Sequence, residues 1–116
     1  MTPSETLTIG VERCGDTVVV RCAGELDLAT VGTLREQLVE TQIYGPTRLI
    51  VVLDEVVFLD SLGLGALIGA HKRARVLQGE LVVVCTSPPV LRVFTATALD
   101  HVLRIVDTLD EALAPR

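Results

Sequence analysis

The segment Arg48-Leu-Ile-Val-Val-Leu53 is apolar with no alternation. A strand with one wet face alternates between apolar and polar residues, whereas a strand covered on both faces does not. This run therefore predicts a central strand of a parallel sheet. Glu80-Leu-Val-Val-Val-Cys85 repeats the pattern and predicts a second buried strand. Parallel neighbours need a crossover between them, usually a helix. Leu62 to Leu77 is predicted as that helix, with Gly79 just beyond it.

The flanking segments extend the same alternation. Leu7, Ile9 and Val11 recur at every second position, so Thr6 to Glu12 reads as a half-buried strand. Cys14-Gly15-Asp16 is a turn, and Thr17 to Ala23 completes a hairpin. Asp27 is expected to cap a helix on which Leu28, Val31, Leu34 and Leu38 form the apolar stripe. Gly45-Pro46 ends it. Asp54-Glu55 is expected to mark the exit of the central strand. Pro88-Pro89 opens a short helix to about Ala96. Leu103 to Val106 is a last strand, and Asp107 or Thr108 caps a helix ending near Ala114. At 116 residues the chain is expected to be one domain with its core over about 6–114. The fold class is α/β: a mixed, mostly parallel sheet of about five strands with about four helices.

Charge and composition narrow the function. The formal net charge of −5 disfavours duplex nucleic acid as a direct partner. Basic residues gather once, at His71-Lys72-Arg73-Ala74-Arg75, where a solvated helix C-terminus explains them. No apolar run approaches the roughly 20 residues of a membrane span. Met1 to Glu5 lacks the build of a signal peptide, so the expected setting is cytoplasmic. Cys14, Cys22 and Cys85 have neither disulfide nor metal spacing. Cys22 and Cys85 read as small buried hydrophobes, and Cys14 as exposed near a turn.

Asp60-Ser61-Leu62-Gly63-Leu64-Gly65 is where chemistry concentrates. Ser61 falls at a helix N-terminus, with unpaired amides and the positive end of the dipole. It admits two roles: an ordinary N-cap, or a serine that carries a phosphate. Gly63 and Gly65 weaken the first turn by roughly 1 kcal/mol each relative to Ala, which implies a surface that a partner approaches closely. Asp54 also ends a strand, as a phosphoaccepting aspartate does in a receiver domain. The first strand ends in Val11-Glu12-Arg13 without an acidic pair, and Lys72, the one lysine, lies in a helix. A strand-end turn is the preferred role for Asp54. Ile68 occupies the place of the third glycine of a dinucleotide fingerprint, and Ser61 lacks the flanking glycines of a nucleophile elbow. Neither catalytic residues nor a metal site emerge.

Val57-Phe-Leu-Asp-Ser-Leu-Gly-Leu-Gly-Ala-Leu-Ile-Gly-Ala-His-Lys-Arg-Ala-Arg75 closely resembles the signature of STAS-domain anti-sigma factor antagonists. Gly24-Glu-Leu-Asp-Leu28, Leu81 to Cys85 with Val90 to Phe94, and Ala98 to Leu103 resemble further family segments in order. The resemblance covers nearly the whole chain. It implies a single STAS domain and a non-enzymatic partner switch. The unphosphorylated protein would bind an anti-sigma factor that is itself a serine kinase, and free the sigma factor. Phosphorylation of Ser61 would disfavour that complex, and a PP2C-type phosphatase would restore it. ATP and magnesium would belong to the kinase. Gly24, Glu25, Asp27, Asp60, Ser61, Leu62, Gly63 and Leu64 would form the docking surface of a monomer or weak dimer. Many relatives carry Ser or Thr where this chain has Leu62. That leaves Ser61 as the hydroxyl to be modified and adds an apolar group that bears on partner choice. A receiver-like domain using Asp54 and a ligand-sensing STAS module are the alternatives.

Overall fold

β1 (Leu7–Cys14) and β2 (Thr17–Leu26) form an antiparallel hairpin, and β2 pairs in parallel with β3 (Arg48–Leu59). The computed structural model describes residues 7–43 and 48–115. β3 pairs in parallel with β4 (Glu80–Val84), and β4 with β5 (Arg104–Val106). The sheet order is therefore β1-β2-β3-β4-β5. Helices α1 (Val31–Gln42), α2 (Ser61–Val76) and α3 (Pro88–Ala96) supply the crossovers. A 3-10 turn at Leu99–His101 precedes β5, and α4 (Leu109–Leu113) closes the chain. This is the mixed α/β sheet that the apolar runs predict. Thr6 and Gly45-Pro46, expected to open a strand and end a helix, lie outside the described residues.

Burial on both faces explains the missing alternation. On one face Val18 and Val20 of β2, Leu49, Val51 and Leu53 of β3, and Leu81 and Val83 of β4 meet α1, α2 and α3. On the other face Val19, Ile50, Val52, Val82 and Val84 meet Ala112 of α4, with Leu109 and Val106 beside it. Removing both sets of side chains from water stabilises the sheet at roughly 25 cal/mol per Å² of apolar surface. α4 is short, and Arg48 anchors it. The guanidinium Nη1 donates toward the carbonyls of Ala112, Leu113 and Ala114 at 3.3, 3.1 and 3.2 Å, while Nε meets Glu80 Oε1 at 2.8 Å.

Several boundaries differ from the sequence reading. β3 does not end at Asp54-Glu55 but continues to Leu59. Its register with β2 slips between Arg21/Ala23 and again between Gly24/Glu25, because β3 carries an extra residue at each bulge. Leu53, Val56 and Leu59 consequently point inward at every third position, a spacing that strand periodicity does not reveal. α1 starts at Val31 rather than at Leu28, which is 78% exposed. Asp27 caps a turn instead: its Oδ1 accepts from the amides of Ala29 at 3.0 Å and Thr30 at 3.2 Å. Of the two caps offered for α4, Thr108 takes the role, accepting from the Glu111 amide at 3.1 Å.

Cys22 and Cys85 are buried, and Cys14 is exposed. Burial pushes the Cys22 thiol from an ordinary 9.0 up to about 12. Below pH 9 the thiol is protonated in both folded and unfolded chains and has no effect on stability. Between 9 and about 12 only the unfolded chain ionises it, so stability falls with rising pH. The expected loss is up to about 1.4 kcal/mol per pH unit. Urea unfolding from pH 8 to 11 checks this: Cys22→Ala should flatten the alkaline decline, and an unchanged slope would contradict the assignment.

Candidate functional site

β2 and β3 end side by side, with Leu26 opposite Leu59. The chain leaves both strands through an aspartate. Asp60 has an extended backbone, and its amide donates to the Leu26 carbonyl at 3.1 Å. Its Oδ1 accepts from the amides of Leu62 at 2.9 Å and Gly63 at 3.1 Å. Asp60 is thus the N-cap of α2, satisfying amides that would otherwise lack partners. Of the two roles open to Ser61, the capping one thus falls to Asp60 instead. Ser61 is the first helical residue, is exposed, and makes no side-chain hydrogen bond among the described residues.

The neighbouring turn is built in a related way. The Thr30 hydroxyl donates to the Glu25 carbonyl at 2.7 Å and accepts from the Asp27 amide at 3.0 Å. Glu25 and Asp27 are half-buried. Gly24 sits at φ 116, a left-handed value that side chains rarely adopt. The aspartates hold their loops, so the strand ends present a defined edge rather than mobile chain.

Gly63 serves packing rather than a partner's approach. A Cβ there would collide with the Leu59 Cδ1 methyl and lie 3.1 Å from Leu26 Cβ and 3.2 Å from the Leu26 carbonyl oxygen. The missing side chain lets α2 start hard against both strand ends. Leu64 is also buried, at 6% exposure, so Gly63 and Leu64 lie in the core and not on the outer surface where the sequence reading put them. Gly65, by contrast, is exposed with open space where a Cβ would go.

Three exposed apolar side chains escaped the sequence reading. Leu28, Val57 and Phe58 are 78%, 64% and 48% exposed, and Leu62 is 39% exposed. Val57 is the extra residue of the second bulge, and Phe58 stands opposite Glu25 in the register. All four are within a few residues of the Leu26–Leu59 pair. The run Val56-Val57-Phe58-Leu59 signals apolar chain, but only the bulge reveals that its middle faces outward.

Asp54 is a structural residue. Its Oδ1 accepts from the Thr86 amide at 2.8 Å and from the Thr86 hydroxyl at 3.1 Å, tying β3 to the start of α3. Among the described residues no group of three or more His, Cys, Asp or Glu side chains is arranged for a metal. The basic segment is divided: Arg73 Nε donates to Gln42 Oε1 at 2.9 Å, and Gln42 Nε2 donates to the Ala70 carbonyl at 2.9 Å. Lys72 and Arg75 remain exposed.

A hairpin edge on a parallel sheet, with an exposed serine opening the capped helix that follows β3, defines a class. The STAS domain family matches residues 8–112, and the chain belongs to that family. An anti-sigma-B factor antagonist of Listeria monocytogenes is 36% identical over 94 residues, covering 81% of this chain and 82% of that one. The crystal structure of an anti-sigma factor antagonist from Mycobacterium paratuberculosis superposes with a TM-score of 0.86 at 29% identity, covering 97% of this chain and 96% of that one. The Bacillus protein SpoIIAA, solved in its phosphorylated form, gives 0.71 at 26% identity, covering 91% of this chain and 96% of that one. Among the described residues no helix is long and apolar enough to cross a membrane.

The two glycines should separate cleanly. Gly63→Ala is expected to cost about 1–3 kcal/mol through overpacking against Leu26 and Leu59. Gly65→Ala should be neutral or stabilising by up to about 1 kcal/mol. Urea midpoints of the two variants check this, and equal effects would contradict the packing account.

Proposed function

We propose that this chain is an anti-sigma factor antagonist, a cytoplasmic binding protein switched at Ser61. Its partner is an anti-sigma factor with serine-kinase activity, and a PP2C-type phosphatase reverses the modification. The folding unit is the single STAS domain over about 6–114. The carrying observation is the Ser61 hydroxyl, exposed and without a hydrogen-bond partner among the described residues beside the capping Asp60. A kinase reaches such a hydroxyl without unfolding the helix. The names of the similar proteins, and a relative solved in a phosphorylated form, support the same reading.

Docking uses apolar contact around a negative centre. Leu28, Val57, Phe58 and Leu62 supply exposed apolar area, while Glu25, Asp27 and Asp60 supply charge. Phe58 is the anchor in this surface, because aromatic side chains bury much area at small entropic cost. Phosphate on Ser61 adds a charge of about −1.5 to −2 beside Asp60. The Leu62 and Gly63 amides are already bonded to Asp60, so they do not neutralise the phosphate. The partner then has to bury an added anion next to a carboxylate.

Ser61→Ala should bind the kinase as the unmodified protein does and take up no phosphate. Ser61→Asp and Phe58→Ala should each weaken the complex by about tenfold, within the usual range of regulatory couplings. Phosphate transfer from labelled ATP and titration calorimetry read these outcomes. Undiminished labelling of Ser61→Ala would remove the assignment.

A further inference from the structure

The far end of α2 carries a second cluster of charge. His71 and Arg75 of α2, Gln78 of the following turn, Glu80 of β4 and Arg104 of β5 line a cleft of about 390 Å³. It lies almost a full helix length from Ser61, on the order of 20 Å at 1.5 Å per residue. The chain as a whole has a net charge of −5, yet this cleft is cationic. Glu80 is matched by Arg48, whose Nε is 2.8 Å from Oε1. Arg104 shares the same carboxylate at 4.0 Å, so the lining sets two arginines against one carboxylate.

Arg104 has an unmet requirement. Its Nη1 is buried and has no hydrogen-bond partner among the described residues. The Glu80 Oε1 atom stands 4.0 Å away, beyond hydrogen-bond reach. The Arg104 side chain as a whole is 33% exposed and lines the cleft, so part of it is open to a bound anion. His71, half-buried in the wall, has its pKa lowered by burial and by the Arg75 charge. The amides of Gln78 and Gly79 are already bonded to the carbonyls of Arg75 and Ala74, so recognition falls to side chains.

Planar guanidinium groups match the oxygens of phosphate, and two arginines in one cleft suit a dianion better than a single carboxylate. We propose that this cleft binds the phosphate group of a small molecule, held by Arg75 and Arg104 with His71 beside them. The cleft volume falls within the usual range of small-molecule sites. The surface is separate from the Ser61 docking edge and does not depend on the function proposed for it.

Inorganic phosphate is the probe. The isotope-labelled full chain is titrated with phosphate and, at matched ionic strength, with chloride, and followed by amide NMR. Saturable shifts at Gln78, Gly79 and Arg104, with a rise in the His71 pKa, are expected for phosphate alone. Arg75→Gln and Arg104→Gln should each weaken binding by about tenfold or more. Arg92→Gln, exposed on α3 outside the cleft, should leave it unchanged. Arg75 is exposed, so its variant tests the site even if Arg104→Gln fails to fold. Equal responses to phosphate and chloride, or phosphate binding undiminished in Arg75→Gln, would overturn the proposal.

Discussion

The joint between Leu26 and Asp60 holds the rest of the site in place. A single backbone hydrogen bond of 3.1 Å links the end of β2 to the residue that caps α2. Gly63 presses against the same Leu26, and Leu59 closes the other side. Strand ends and helix start are thereby fixed to one another without a side chain from Gly63. Ser61 stands clear of this contact at the first helical position. The Asp60 carboxylate completes the joint by binding the amides of Leu62 and Gly63.

That arrangement shapes the electrostatics of a switch. A helix N-terminus usually welcomes an anion through its free amides and its dipole. Here the capping carboxylate already occupies two of those amides. A phosphate on Ser61 would gain from the dipole but face Asp60 rather than replace it. Such a group changes the surface more than the fold. In the proposed function, the exposed Leu28, Val57, Phe58 and Leu62 would supply the neutral part of that surface, and the charge would decide whether a partner can bury it.

The architecture was legible because burial leaves a pattern. The unbroken apolar runs at Arg48 to Leu53 and Glu80 to Cys85 could be read directly as strands covered on both faces. The stripe Val31, Leu34 and Leu38 marked α1 correctly. The misreadings share a cause. Asp54-Glu55 looked like a strand exit, but bulges carry β3 past these residues to Leu59. Leu28 fitted helical spacing by coincidence, since Asp27 folds a turn before α1 begins. A cap at Ser61 stays open in the sequence although Asp60 holds it, because both residue types cap well and sequence spacing does not rank them. Gly63 and Gly65 looked alike in sequence, yet one packs against strand ends and the other faces open space. Such differences arise from contacts between segments far apart in the chain.

The most direct measurement compares two forms of the same folded protein. The chain is phosphorylated stoichiometrically at Ser61, its amide NMR spectrum is recorded, and its affinity for the anti-sigma kinase is determined beside that of the unmodified form. The account predicts spectral changes confined to the neighbourhood of Asp60 and Ser61, with affinity reduced by about tenfold or more. Equal affinities, or a weakened complex accompanied by shifts throughout the sheet, would contradict it.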